Sequence, residues 1–207
     1  MSEPKKRRAT YQDVLDAPEH MIAEILNGEL VLSRPKGPAT GVASSLQIEL
    51  GGPFDRGRGG PGGWVLLVAP EIHFEDDVLV PDLAGWRAER MPVLPDGMFT
   101  VMPDWVCEVL SKSTERRDRM EKMAIYAAMG VGHVWLVHPI KRTVEAYRRE
   151  GTRWITVGLH QYDARARIEP FHAIELDLAL LWRGLPLPTR ASEASGEWAY
   201  EASLPDL

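Results

Sequence analysis

A chain of 207 residues with 44% hydrophobic content has room for one domain of ordinary size and a substantial core. Its net charge of −6 argues against a protein coated in basic surface, although a local positive groove is compatible with an acidic average. The single cysteine, Cys107, excludes an intrachain disulfide and a cysteine-cluster zinc site and suits a reducing cytosol, and no apolar run reaches the roughly 18 residues of a membrane span.

Lys5, Lys6, Arg7 and Arg8 have no apolar segment behind them, so residues 1–10 read as a basic flexible tail and not as a secretory signal. In MIAEILNGELVLSRP, apolar and polar residues roughly alternate around Asn27-Gly28, a dipeptide favoured in tight turns, which predicts an N-terminal β-hairpin. TGVASSLQIELGGPF repeats Val42, Leu46 and Leu50 at helical spacing, with Gly51-Gly52-Pro53 as its stop. Gly51 to Gly63 is rich in glycine but lacks the Gly-Lys-Ser/Thr ending of a phosphate loop, so it reads as a flexible surface loop. WVLLVAPEIHF, DVLVPDLAGW and DWVCEVL are β-rich runs separated by turn-forming clusters, as adjacent strands of one sheet would be. Ser113 or Thr114 at one end and Gly130 at the other bracket a helix over residues 114–129. VGHVWLVHP follows as a strand, and TVEAYRREGTRWITVGL reads as a C-terminal hairpin turning at Glu150-Gly151. Residues 186–207 carry no periodic apolar face and read as a flexible acidic tail, which leaves 11–185 as a single domain.

The chemistry-bearing residues are acidic side chains in apolar company. Asp82 and Glu108 each stand in a run that reads as a buried strand, where an isolated carboxylate would cost on the order of several kcal/mol to desolvate. Two of them require cations, hydrogen bonds or protons nearby, and the simplest shared partner is a divalent metal. Pro81 cannot donate to a sheet ladder and marks a strand edge or bulge that aims Asp82 into a cleft. Period-two geometry puts Val106, Glu108 and Leu110 on one face of their strand and Trp105, Cys107 and Val109 on the other.

On the helix, Asp118, Lys122 and Tyr126 follow at four-residue spacing, with Ile125 and Met129 on the same stripe. That mixture predicts a face turned partly inward, bringing an ammonium towards the carboxylates; the plain alternative is a surface Asp118–Lys122 pair worth under about 1 kcal/mol. Arg116, Arg117, Arg119 and Glu121 read as solvated charges. His133 and His138, five apart on a strand, face opposite sides and argue against a joint metal site, while His73 reads as packing or surface. Trp64, Trp86, Trp105, Trp135, Trp154 and Trp182 fall one per element, as core fillers do and a base-stacking row does not. Cys107 has no obvious base and faces away from Glu108.

VPD, PDWVCEVLSKST, then Asp118, Lys122 and Tyr126, then GVGHVWLVHP occur in this order, with AEILNGELV near the start and IELDLALLW near the end. Over residues 11–182 they resemble the Uma-type putative restriction endonuclease family of the PD-(D/E)XK nuclease superfamily. The resemblance implies an α/β (α+β), restriction-endonuclease-like core: a mixed central β-sheet flanked by helices, here with N-terminal and C-terminal β-hairpins. It also implies Mg²⁺-dependent (or Mn²⁺-dependent) hydrolysis of phosphodiester bonds in nucleic acid, DNA foremost, often by a homodimer, while the lack of a long apolar run argues against a membrane partner. Asp82 then corresponds to the aspartate of the PD element and Glu108 to the (D/E) element. Both would bind metal, with the backbone carbonyl of Val109 as a further oxygen ligand.

The superfamily lysine falls two residues after Glu108, where this chain has Leu110. Lys122 on the following helix is the replacement favoured over Lys112, and would orient the attacking water or neutralise charge developing on the phosphate. Glu24 matches a recurrent acidic position of the family and is either a contributor to the site or an exposed hairpin carboxylate. The histidine the family often shows near its first helix has no equivalent around Thr40. Two other classes stand beside the nuclease. A catalytically degraded nuclease fold that binds DNA or protein is favoured by the broken Glu-X-Lys pattern and the acidic average. An interaction protein unrelated to nucleic acid would make the coincidence of Asp82, Glu108 and Lys122 meaningless.

Overall fold

The computed structural model describes residues 7–34 and 37–186, the side chain of Pro38 excepted. Lys5 and Lys6 of the basic segment and the C-terminal segment from residue 187 lie outside the described residues. In chain order the elements are α1 (Tyr11–Leu15), β1 (Ile22–Leu26), β2 (Glu29–Ser33), α2 (Gly37–Leu50), β3 (Trp64–Val68), β4 (Ile72–Phe74), β5 (Asp77–Leu79), β6 (Leu83–Arg87) and β7 (Trp105–Val109). There follow α3 (Glu115–Arg117), α4 (Met123–Met129), β8 (His133–His138), β9 (Thr143–Glu150), β10 (Arg153–Gln161), β11 (Arg165–Ala166) and β12 (Leu176–Asp177). A π-type turn, Asp118–Lys122, joins α3 to α4, so the backbone is helical from 115 to 129 and ends on Gly130 in the left-handed region (φ 83°).

A six-stranded sheet of order β10-β9-β8-β7-β6-β3 forms the centre of the molecule. Its pairs are antiparallel except β7–β8, and the 115–129 helix is the crossover which a parallel pair requires. A second, four-stranded sheet has the order β2-β1-β5-β4. Both expected hairpins form. Asn27 and Gly28 carry positive φ (54° and 79°) between β1 and β2, as a primed turn demands, and Gly151 (φ 61°) opens the β9–β10 turn.

Two local expectations need correction. The three β-rich runs are not neighbours in one sheet: β3, β6 and β7 belong to the central sheet, whereas β4 and β5 leave as a hairpin and join the other. Pro70 and Pro81 flank that excursion, and neither can donate to a ladder; alternation of apolar residues reveals a strand but not its sheet. Gly51-Gly52-Pro53 also fails to stop α2. Helical backbone continues as a π-type turn over Gly51–Asp55, closed by the Arg56 N–H on the Gly51 carbonyl (2.9 Å). Pro53 has no N–H to give the α-helical acceptor four residues back, and the wider turn accommodates that loss while burying Phe54. The glycine-rich segment then folds back on this turn, with Arg58 N–H on the Gly52 carbonyl (2.8 Å) and Gly62 N–H on the Pro53 carbonyl (2.9 Å).

Each face of the central sheet is covered. On one side Val42, Leu46 and Leu50 of α2 pack with Trp64, Trp105, Trp135 and Phe171; on the other Met123, Ile125, Tyr126 and Met129 of the long helix pack with Val106, Leu110, Val134 and Leu136. Among the described residues no helix is long and apolar enough to cross a membrane. Phe171 is the hub of the first core, its ring 4.7 Å from Phe54, 4.8 Å from Trp64, 4.9 Å from Trp105 and 5.6 Å from Trp135. Phe171→Ala should therefore lower the unfolding free energy by about 3–5 kcal/mol in a urea titration.

Candidate active site

Asp82 sits where the chain leaves the smaller sheet and enters β6. Leu83 pairs with Cys107, and this antiparallel register continues to bring Asp82 level with Glu108. The Asp82 side chain is half-buried, and its Oδ2 accepts the Val109 N–H at 2.7 Å. In extended backbone a residue's N–H and C=O point to the same side, so the Val109 carbonyl also faces the Asp82 edge.

Glu108 projects from the middle of β7 beside Val106 and Leu110 and is 1% exposed. Its Oε1 accepts from the Tyr126 hydroxyl (2.5 Å) and from the Lys122 ammonium (2.6 Å). The same ammonium lies 2.8 Å from Oε1 of Glu24, which also accepts the Val80 N–H at 2.9 Å. Lys122, 2% exposed, is thus held between one carboxylate of the central sheet and one of the smaller sheet. Burial opposes its charge, but Glu108 and then Glu24 outweigh that and hold the ammonium well above the ordinary lysine pKa. The Tyr126 hydroxyl is pushed well up by burial and by the Glu108 charge.

The helix supplies these groups as its spacing predicts, though more deeply. Asp118, Lys122 and Tyr126 line one stripe, and all three are buried with Ile125 and Met129, so the surface-pair alternative for Asp118 and Lys122 does not hold. The π-type turn across Asp118–Lys122 contributes, because with more residues per turn a four-residue spacing comes closer to a full revolution. Glu24 is 4% exposed and part of the cluster, which corrects the exposed-hairpin alternative. Leu110 is packed into the helix-side core, and Lys112 stands exposed in the turn after β7.

Residues 9–180 match the Uma2 family, described as "Putative restriction endonuclease". The chain belongs to this family. Its structure is similar to the crystal structure of a putative nuclease belonging to DUF820 from Anabaena variabilis, at 21% identity over 84% of this chain and 97% of that one, with a TM-score of 0.67; that likeness concerns the fold. Among proteins of curated function none matches. The mixed sheet with its crossover helix and two hairpins is the restriction-endonuclease-like architecture implied by the motifs of this Uma2 chain.

One network in the family member escaped the sequence. Arg119 is not solvated: its guanidinium forks onto Glu145 of β9 (2.8 and 2.5 Å) and its Nε donates to Glu115 (3.0 Å). Tyr147 donates to the same Glu145 at 2.6 Å. The bond from Arg119 holds the Glu145 carboxyl below the usual carboxylate range, and burial together with Glu145 pushes the Tyr147 hydroxyl up to about 12. The one available signal was Glu145 and Tyr147 two apart on a strand, on the face that receives the helix. His138 and His133 lie near different acids, Glu115 (3.7 Å) and Glu169 (3.5 Å). Trp64, Trp86, Trp105, Trp135 and Trp182 are core residues, and Trp154 donates to the Met123 carbonyl at 2.8 Å.

Arg119→Met should destabilise the fold by about 2 kcal/mol, since it leaves a half-buried carboxylate without its charged donor, and a denaturant titration reads this directly. Alkaline pH should act on the central cluster. Lys122 and Tyr126 both have raised pKa values when folded, so the unfolded chain loses their protons first. Stability is then full below about pH 10 and declines above it; equilibrium unfolding at stepped pH should show that decline, and Tyr126→Phe should make it shallower.

Proposed function

We propose that the protein is a cytosolic, divalent-metal-dependent endonuclease that hydrolyses phosphodiester bonds, with DNA as substrate and Asp82, Glu108 and Lys122 as its catalytic residues. The observation that carries this reading is the buried Lys122 ammonium 2.6 Å from Glu108, on the strand beside Asp82. Leu110 occupies the position where the superfamily pattern has its lysine, and the helix delivers an ammonium to the same carboxylate from the other direction.

The donor set suits the ion. Asp82, Glu108 and the Val109 carbonyl offer oxygen alone, which favours Mg²⁺ or Mn²⁺ over thiophilic metals. Among the described residues no group of three or more His, Cys, Asp and Glu side chains is arranged as a metal cage. Mg²⁺ commonly takes one or two carboxylates and keeps water and substrate phosphate for the rest. Bound there, the ion would supply Lewis-acid polarisation of the phosphoryl oxygen and a more acidic water.

The protein's own groups do the remaining work. Asp82 is oriented by the Val109 N–H at the strand edge, half-exposed to an incoming phosphate. Lys122 holds positive charge where the phosphoryl group gains negative charge. Tyr126 fixes the Glu108 carboxylate by donating to it, and Glu24 fixes the lysine. β10, an edge of the central sheet with Ile155 and Leu159 exposed, offers a second copy of the chain a place to pair in a homodimer.

Lys122→Ala should abolish cleavage of plasmid and single-stranded DNA, and Lys122→Ala/Glu24→Gln, in which one of the two buried carboxylates is neutralised as well, should be inactive while keeping the circular dichroism spectrum of the wild type; full retained activity would move the role to Lys112 or remove it. Calorimetric titration of Mg²⁺ and Mn²⁺ should show binding to the wild type that disappears in Asp82→Ala/Glu108→Ala. Absence of binding even with oligonucleotide present would favour an inactive nuclease-fold binding protein.

A further inference from the structure

We propose that Lys122 is a resident counter-ion that competes with the divalent metal for Glu108, so that the protein's affinity for the ion is held down by its own lysine. The inference rests on the nuclease reading above, in which Glu108 is a metal ligand, and adds a regulatory role for a residue otherwise assigned only to the phosphate.

The geometry carries it. Lys122 and Tyr126 both donate to the same oxygen of Glu108, at 2.6 and 2.5 Å. An Mg²⁺ ligated by that carboxylate at about 2.0–2.1 Å would stand within a few ångströms of the ammonium, with no room for bulk water to screen the two positive charges. The lysine has little freedom to withdraw: its Nζ is also 2.8 Å from Glu24, its helix is packed on the sheet, and the side chain is 2% exposed. Acidic side chains stand around it. Glu24, Glu108 and Asp118 are buried carboxylates, and Asp82 is a fourth at the strand edge. Lys122 is thus already seated on the carboxylate that the metal would use.

The test is calorimetric titration of Mn²⁺ into four proteins: wild type, Lys122→Met, Lys122→Met/Glu24→Gln and Asp82→Asn/Glu108→Gln. The second variant has the same net charge as the wild type. It separates competition at Glu108 from a change in overall charge, and it guards against a single variant that fails to fold with two buried carboxylates uncompensated. Both Lys122 variants should bind Mn²⁺ at least about tenfold tighter than the wild type. Mn²⁺ should also raise their melting temperatures by more. A wild type that binds Mn²⁺ through Asp82 and Glu108, with Lys122 variants that bind no tighter, overturns the competition and leaves the nuclease reading intact. No binding by any of the four, or equal binding by all four including Asp82→Asn/Glu108→Gln, overturns the metal reading and the competition with it.

Discussion

The Lys122 ammonium, closed between Glu24 and Glu108, is the interaction on which the rest of the site depends. A charge taken out of water is tolerated only with partners of opposite sign at hydrogen-bonding distance, and here these come from β1 and β7, strands of different sheets. The lysine itself comes from the crossover helix, so one buried group couples three separate pieces of the fold. Apolar residues of similar volume could hold the same elements together at least as firmly, so stability alone does not account for charges at this position. The nuclease proposed above would give an ammonium and carboxylates at this position a use in chemistry.

The scaffold around that cluster follows from one feature of sheet topology. β7 and β8 are parallel, and a parallel pair cannot be joined by a tight turn. The connecting chain must cross one face of the sheet, and as a helix it lays a stripe of side chains against β7. Arg119 reinforces the placement by reaching β9 through Glu145, so the helix is tied to one strand by each of two cations three residues apart. On the opposite side, the excursion of β4 and β5 into the smaller sheet returns the chain to β6 through Pro81. A residue unable to donate to a ladder at that junction leaves Asp82 at the start of β6, where its carbonyl accepts the Ala69 N–H (3.1 Å) and its side chain accepts the Val109 N–H.

This arrangement reconciles an acidic chain with a proposed nucleic-acid substrate. Several of the negative charges behind the net value of −6 are internal, where they bind a lysine, an arginine or backbone N–H groups. Net charge describes the average field at a distance, whereas the field at any one place on the protein is set by the few charged groups around it.

Much was legible in the sequence because it depends on local periodicity. The β1–β2 and β9–β10 hairpins, the helix ending at Gly130, the two faces of β7, and the stripe of Asp118, Lys122 and Tyr126 all follow from periods of two and 3.6 residues and from turn chemistry. The order of motifs that suggested the family was legible as well, and the match over residues 9–180 bears the family out. Tertiary structure decided what periodicity cannot encode: that IHF and DVL leave the central sheet, that Glu24 is a buried partner and not a hairpin surface residue, and that Arg119 is clamped to Glu145. Each of these is a choice of long-range partner. Apolar alternation specifies which side of a strand is buried, but only the assembled sheets bring carboxylates 84 residues apart in the chain, Glu24 and Glu108, onto one ammonium.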